Sequence, residues 1–261
     1  MSSLNLYKMV KKTFAFFLLL ILCSCASKED YIYFQNINTL NTEARLYEPV
    51  IKSDDNLLIF VSSATPELAK DFNLMAVGTM DKASDIALTQ VRFQTYLVNN
   101  KGEIDFPVLG TIKLGGLSRV QAVDKLKSEI SKYIDGPIVN LRIANYKVSV
   151  MGEVMRPGSF PVSSERITLP EALSMAGDLT VYGDRKNVLV IREVEGVKSY
   201  NYIDLTSVDF FQSPFYYLSQ NDVVYVNPNQ TKVNSSTVGP NTTVIISSLS
   251  LLITIVALIV R

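Results

Sequence analysis

Apolar and polar positions change period several times along this chain, and each change predicts an element. Leu57 to Val61 is a short apolar run between Ser53-Asp54-Asp55-Asn56 and Ser62-Ser63, the pattern of a buried strand. Residues 65–89 mix Pro, Gly, Asp and Met without a period and read as irregular. Phe93 to Val98 and Ile104 to Val108 flank Asn99-Asn100-Lys101-Gly102, which predicts a β-hairpin with glycine where positive φ is needed. A helix is predicted from Ser118, which has capping-box spacing to Gln121, with Val123, Leu126, Ile130 and Tyr133 as its apolar stripe. Asp135-Gly136-Pro137 ends it, and Ile138 to Ile143 alternates as a strand. A second unit starts near Tyr146, with strands Lys147 to Met151 and Ser159 to Val162. A short helix follows, capped by Thr168 and Glu171 and stopped by Gly177. Strands Val188 to Arg192, Lys198 to Ile203 and Val223 to Val226 complete an α+β unit in which one helix covers one sheet.

Two further apolar runs lie at the ends. Lys8, Lys11 and Lys12 precede Phe14 to Leu22, a stretch too short to span a bilayer with margin, so the first run reads as a secretion signal. Leu22-Cys23-Ser24-Cys25 resembles a bacterial lipobox, and that resemblance implies a diacylglyceryl thioether on Cys25 together with palmitate. Cleavage after Ala26 by ordinary signal processing is the alternative, and either route leaves at most one cysteine and no internal disulfide. Lys28-Glu29-Asp30 resembles a cell-surface retention signal and equally fits a solvated tether. The second run, Val244 to Val260, lies in a stretch without charge between Lys232 and Arg261 and would form a helix about 26 Å long, close to a hydrocarbon core of about 30 Å. Ser247, Ser250 and Thr254 share one narrow face of it, suited either to a pore lining or to close helix packing.

Composition removes several function classes. Apolar residues make up 48% and charged residues 19% of the chain, enough to bury real cores. The formal net charge is zero, so no basic field collects nucleic acid. There is no histidine, which excludes Ser-His-Asp and Cys-His catalysis and removes the commonest zinc ligand. No catalytic residue, metal ligand or cofactor site is nominated. Glu153 and Glu171 form the one conceivable hydrolase pair, and Glu171 already has a capping role. Tyr200, Tyr202, Tyr216 and Tyr217 suit sugar stacking, although the alternation at 200 and 202 equally fits one sheet face and core or interface packing is the expected use.

The motifs carry a family resemblance. Gly102 to Gly110, then Gly116-Leu117-Ser118 and the helix to Tyr133, resemble the core of a polysaccharide export domain. Val148 to Val154 with Arg156-Pro157-Gly158, Thr168 to Leu173 with Ala176-Gly177, and Asn221 to Val226 resemble the SLBB β-grasp unit. Signal, export domain and β-grasp unit in this order resemble the polysaccharide export outer-membrane lipoproteins, the Wza-like family. The resemblance implies a non-enzymatic, porin-like channel: a homo-oligomeric ring passing a capsular polysaccharide or exopolysaccharide strand and docking an inner-membrane co-polymerase/tyrosine kinase. It also implies an outer-membrane location, lipid-anchored, with the body in the periplasm; a lipid-anchored glycan-binding module is the alternative. An inner-membrane tail anchor is the alternative for the C-terminal run, weakened because only Arg261 follows it. The expected organisation is signal peptide 1–24, lipidated tether 25–46, export domain 47–143, one β-grasp domain 144–229, linker 230–243 and transmembrane helix 244–260. Asp54-Asp55-Asn56-Leu57 departs from the family in lacking its usual proline-glycine-aspartate turn.

Overall fold

A computed structural model describes residues 28–37, 47–76, 92–194, 196–237 and 240–259. Two hydrophobic cores divide the body, one assembled from residues 51–141 and one from residues 146–226, with Ile143 packed against both.

In the first unit, β1 (Asn56–Ser62) is the middle strand of a three-stranded antiparallel sheet. Alternation places Leu57, Ile59 and Val61 in the core. After β1 come a short helix α1 (Pro66–Ala69), a 3-10 turn, and the two-residue strands β2 (Met75–Ala76) and β3 (Arg92–Phe93), which pair with each other. The stretch read as irregular therefore contains ordered turns, and its residues 77–89 lie outside the described residues.

The hairpin expected between 93–98 and 104–108 pairs differently. The turn itself forms: Gly102 has φ +77° and the Asn99 side chain accepts from the Lys101 and Glu103 backbones. On its near side, however, β4 (Tyr96–Leu97) is taken up by the edge of β1. On its far side, β5 (Glu103–Phe106) pairs with β6 (Gly110–Lys113) across a turn at 107–109. The Gly102 carbonyl meanwhile accepts from Leu114 and Gly115, bringing the two backbones so close that a Cβ on Gly115 would stand 2.5 Å from the Gly102 Cα.

Helix α2 (Arg119–Ile130) begins at a complete Ser118/Gln121 capping box, worth about 1 kcal/mol to a helix start. Its buried face is Ala122, Leu126 and Ile130, continued by Ile134; Val123 is half-buried and Tyr133 exposed. The stripe is thus rotated from the expected one, with Ala122 fully buried where Val123 was expected. β7 (Ile138–Ile143) then completes the sheet in the order β4-β1-β7.

The second unit contains β8 (Lys147–Gly152), β9 (Gly158–Pro161), β10 (Ile167–Thr168), α3 (Leu169–Met175), β11 (Gly183–Val194), β12 (Val197–Ile203), β13 (Tyr217–Leu218) and β14 (Val223–Pro228). Five of the strands form a mixed sheet in the order β12-β11-β14-β8-β9, in which β14 and β8 run parallel. The Thr168/Glu171 capping box starts α3, Pro170 occupies its first turn and Gly177 follows at φ +77°. Val148, Val150, Val188, Val190, Val224 and Val226 face the core beneath α3. Gly152 allows β8 to meet β14, since a Cβ there would lie 2.1 Å from the Val226 carbonyl oxygen. The α+β class is as expected. Beyond β14 follow α4 (Gln230–Thr237) and α5 (Pro240–Ile259).

Candidate functional site

Three surfaces bear on function: the junction between the units, the open face of the second sheet, and the corner where both chain ends leave the body.

The junction is tied by aromatic and polar contacts. Tyr47 stacks on Tyr217 with ring centroids 4.8 Å apart, and the Tyr146 hydroxyl donates to the Leu218 carbonyl at 2.7 Å. Burial and neighbouring negative groups hold the Tyr146 hydroxyl well above the ordinary tyrosine range. A cleft of about 300 Å³ opens beside it, floored by Ile51, Leu141 and Tyr146, with Arg142 lining it and the Arg119–Glu165 ion pair at 2.9 Å on its wall. Buried at the same junction, Asp55 accepts the Lys52 N–H at 2.8 Å, and burial pushes its carboxyl up to about 6.

The open face of the second sheet follows from strand register. Tyr202, Leu189, Tyr225 and Met151 align across four strands, and Tyr200, Ile191, Val223 and Ser149 form the adjacent row. Tyr200 and Tyr202 are 61% and 64% exposed in the single chain, so they are not in its core and stand free for an interface or a ligand. Tyr216 and Tyr217 do pack, the former against Phe210 and Phe211.

Glu171 accepts from the Thr168 N–H at 2.7 Å, and Glu153 accepts from the Thr180 hydroxyl at 3.0 Å. Each carboxylate has a structural partner. Among the described residues no group of acidic, cysteine or histidine side chains has the arrangement of a metal site.

At the chain ends, Cys25 lies outside the described residues. Ser247, Ser250 and Thr254 are all exposed on α5, where the Thr254 hydroxyl donates back to the Ser250 carbonyl at 2.8 Å. Among the described residues no helix is long and apolar enough to cross a membrane. The continuous described side chains of α5, residues 244–255, cover only about 18 Å of helix. The structure therefore leaves the transmembrane helix expected over 244–260 unsupported.

Sequence reasoning missed the docking of the N-terminal segment. Phe34 and Gln35 donate their backbone N–H groups to the Leu205 and Thr206 carbonyls, and the Tyr33 hydroxyl donates to Asp178 at 2.7 Å. Burial and that carboxylate raise the Tyr33 hydroxyl far above its usual range. The aromatic run Tyr31-Ile32-Tyr33-Phe34 was its only trace in the sequence.

Comparison with known proteins accounts for most of the body. Residues 43–144 match the family model described as polysaccharide biosynthesis/export protein, and residues 146–226 match the SLBB domain model. Two curated relatives, both named EPS I polysaccharide export outer membrane protein EpsA, come from Ralstonia solanacearum and Ralstonia nicotianae. They are 30% and 33% identical over 131 and 132 residues, in each case 49% of this chain and 34% of the relative. The chain thus matches about a third of the length of these relatives. With an export domain followed directly by an SLBB domain, the chain belongs to the polysaccharide export family.

Proposed function

We propose that this protein is one subunit of an oligomeric outer-membrane conduit that carries capsular polysaccharide or exopolysaccharide from the periplasm to the cell surface. Cys25 holds the subunit to the membrane by lipid, α5 sets its apolar surface into the outer membrane, and the periplasmic body docks an inner-membrane co-polymerase. The observation that carries this reading is α5: twenty residues without a charge, whose large apolar side chains, among them Val244, Leu249, Leu252 and Leu258, project into the open rather than against the body. Such a surface is stable only in lipid or against copies of itself. The names of the two relatives point to the same membrane and cargo.

In this reading the face bearing Ser247, Ser250 and Thr254 turns toward the lumen or a neighbouring helix, and leucine, isoleucine and valine meet lipid. A conduit needs walls that bind its polymer weakly, which suits hydroxyls better than charges. Deleting residues 240–261 tests it. A conduit subunit loses surface polymer and traps it in the periplasm; undiminished export from the truncated protein overturns the channel and leaves a lipid-anchored glycan-binding module.

A further inference from the structure

The two chain ends meet one loop. Residues 178–186 span the end of the connection from α3 and the irregular start of β11, and the N-terminal segment lies across one side of them. Lys186 pairs with Asp30 at 2.7 Å, Tyr33 donates to Asp178, and the buried Arg185 guanidinium sits 5.5 Å and 5.2 Å from the ring centres of Tyr31 and Tyr33. The C-terminal linker grips the other side. Asn229 donates its backbone N–H to the Tyr182 carbonyl at 2.7 Å and its side-chain amide to the Val181 carbonyl, while Lys232 lies over the Tyr182 ring and 3.6 Å from Glu153.

These contacts constrain where the two proposed anchors can leave the body. Cys25 precedes Lys28 by three residues, a reach of about 10 Å even when fully extended. Lys232 precedes the start of α5 by eight residues, about 12 Å as helix. Both attachments therefore leave from the same corner of the second unit.

That corner has the surface chemistry of a membrane interface. Val181 is 64% exposed and Met155, whose N–H donates to the Asp178 carbonyl, is 66% exposed; Tyr31, Ile32 and Tyr182 are also exposed. Lys186 and Lys232 flank them. Apolar side chains at a tip, tyrosines beside them and lysines around them suit the acyl boundary, the headgroup level and the anionic headgroups respectively.

We infer that the loop 178–186, together with Met155 and Tyr31-Ile32, is a membrane-seating tip that presses into the lipid surface and sets the second unit against the bilayer. The inference rests on the proposed anchoring by Cys25 and α5, and names the lipid-contacting residues that this anchoring leaves open. The Tyr31–Arg185–Tyr33 stack then acts as a clamp that stops the lipidated end from swinging free of the tip.

The chain contains no tryptophan, so single Val181→Trp and Met155→Trp variants give clean probes, with Leu97→Trp in the first unit as the exposed control. The full-length lipidated proteins are reconstituted into vesicles of phosphatidylethanolamine and phosphatidylglycerol containing acyl-brominated lipid, then floated on a density gradient. The expected result is blue-shifted emission quenched by bromine at 181 and 155, and water-like, unquenched emission at 97. Floating protein whose 181 and 155 probes behave like the 97 control overturns the tip while leaving the anchoring intact. Protein that does not float overturns both. Two tip positions keep the test decisive if one variant misfolds.

Discussion

The same turn opens the principal strand of each unit, and its two copies differ in one partner. In residues 52–55 and 219–222 the third residue is left-handed, Asp54 at φ 68° and Asn221 at φ 64°. In both, the closing aspartate donates its N–H to the carbonyl three residues back and accepts the N–H of that same residue, Asp55 from Lys52 at 2.8 Å and Asp222 from Ser219 at 2.7 Å. Both carboxylates are buried, 0% and 1% exposed, and each leads into a strand in the interior of its sheet, β1 or β14. Asp222, however, also binds the Arg192 guanidinium through both oxygens, at 3.1 and 2.7 Å, whereas Asp55 Oδ1 has no hydrogen-bond partner. The Lys52 ammonium, held below its ordinary range chiefly by burial, is drawn to Asp222 as well as to Asp55. The geometry of the turn thus needs an acceptor for one N–H; a counter-charge is a separate addition that only the second unit makes.

Removing the charge of the second turn should have the largest effect. Asp222→Ala strands Arg192, which also donates to the Tyr217 carbonyl and lies over Phe215, and frees the Ser219 N–H. Breaking a buried pair from one side costs about 3–5 kcal/mol, readable as a lower denaturation midpoint. Arg192→Met should cost less, about 2–3 kcal/mol, because the carboxylate keeps its backbone donor. That variant gives the second turn the condition of the first. A cost equal to that of Asp222→Ala would mean that the loss comes from the guanidinium's packing and not from the turn's own donor.

The paired turns also mark how far the sequence could be read. Both capping boxes were legible because four residues carry the whole signal, and strands β1, β7, β8 and β14 were legible as short apolar or alternating runs between turn residues. The first aspartate turn was recognised only as a departure, since Asp54 does by tolerance of positive φ what glycine does by having no Cβ. The hairpin at Gly102 was half right: a local turn is written in local residues, but its strands chose partners at Leu57 and Thr111, beyond the two segments that flank it. The docking of the N-terminal segment was least legible, for Tyr33 and Asp178 are 145 residues apart and neither stretch has a period. Of the candidate site residues, Ser247, Ser250 and Thr254 lie exposed on α5, while the exposure of Tyr200 and Tyr202 required knowing that β12 is an edge strand that no described element covers.

A third way to test the comparison is to titrate it. Burial raises the Asp55 carboxyl from 3.8 to about 6, so the folded protein holds a proton that the unfolded chain has released. The sign follows from linkage: between pH 4 and 6 the native state binds more protons, and stability from this group is lost as pH rises through that window, by about 3 kcal/mol at most. Asp55→Asn keeps an oxygen for the Lys52 N–H and does not titrate. The stability of the native protein relative to Asp55→Asn should therefore fall from pH 4 to 6, measured by chemical denaturation at each pH. A difference that stays level would place the turn in water rather than in the core.

The smallest expected effect separates charge from conformation within the first turn. Asp54→Asn gives residues 54 and 55 the identities of Asn221 and Asp222, retaining a residue that accepts positive φ while removing a negative neighbour of Asp55. Stability at pH 7 should rise by about 0.3 kcal/mol, the scale of an exposed charge contact, and the Asp55 midpoint should move down. The reverse change, Asn221→Asp, adds the same charge beside a carboxylate that Arg192 already neutralises, and should cost less than Asp54→Asn gains. Equal and opposite effects would mean that the guanidinium does not shield its turn, and the difference between the two units would then lie in packing around the aspartates rather than in the ion pair.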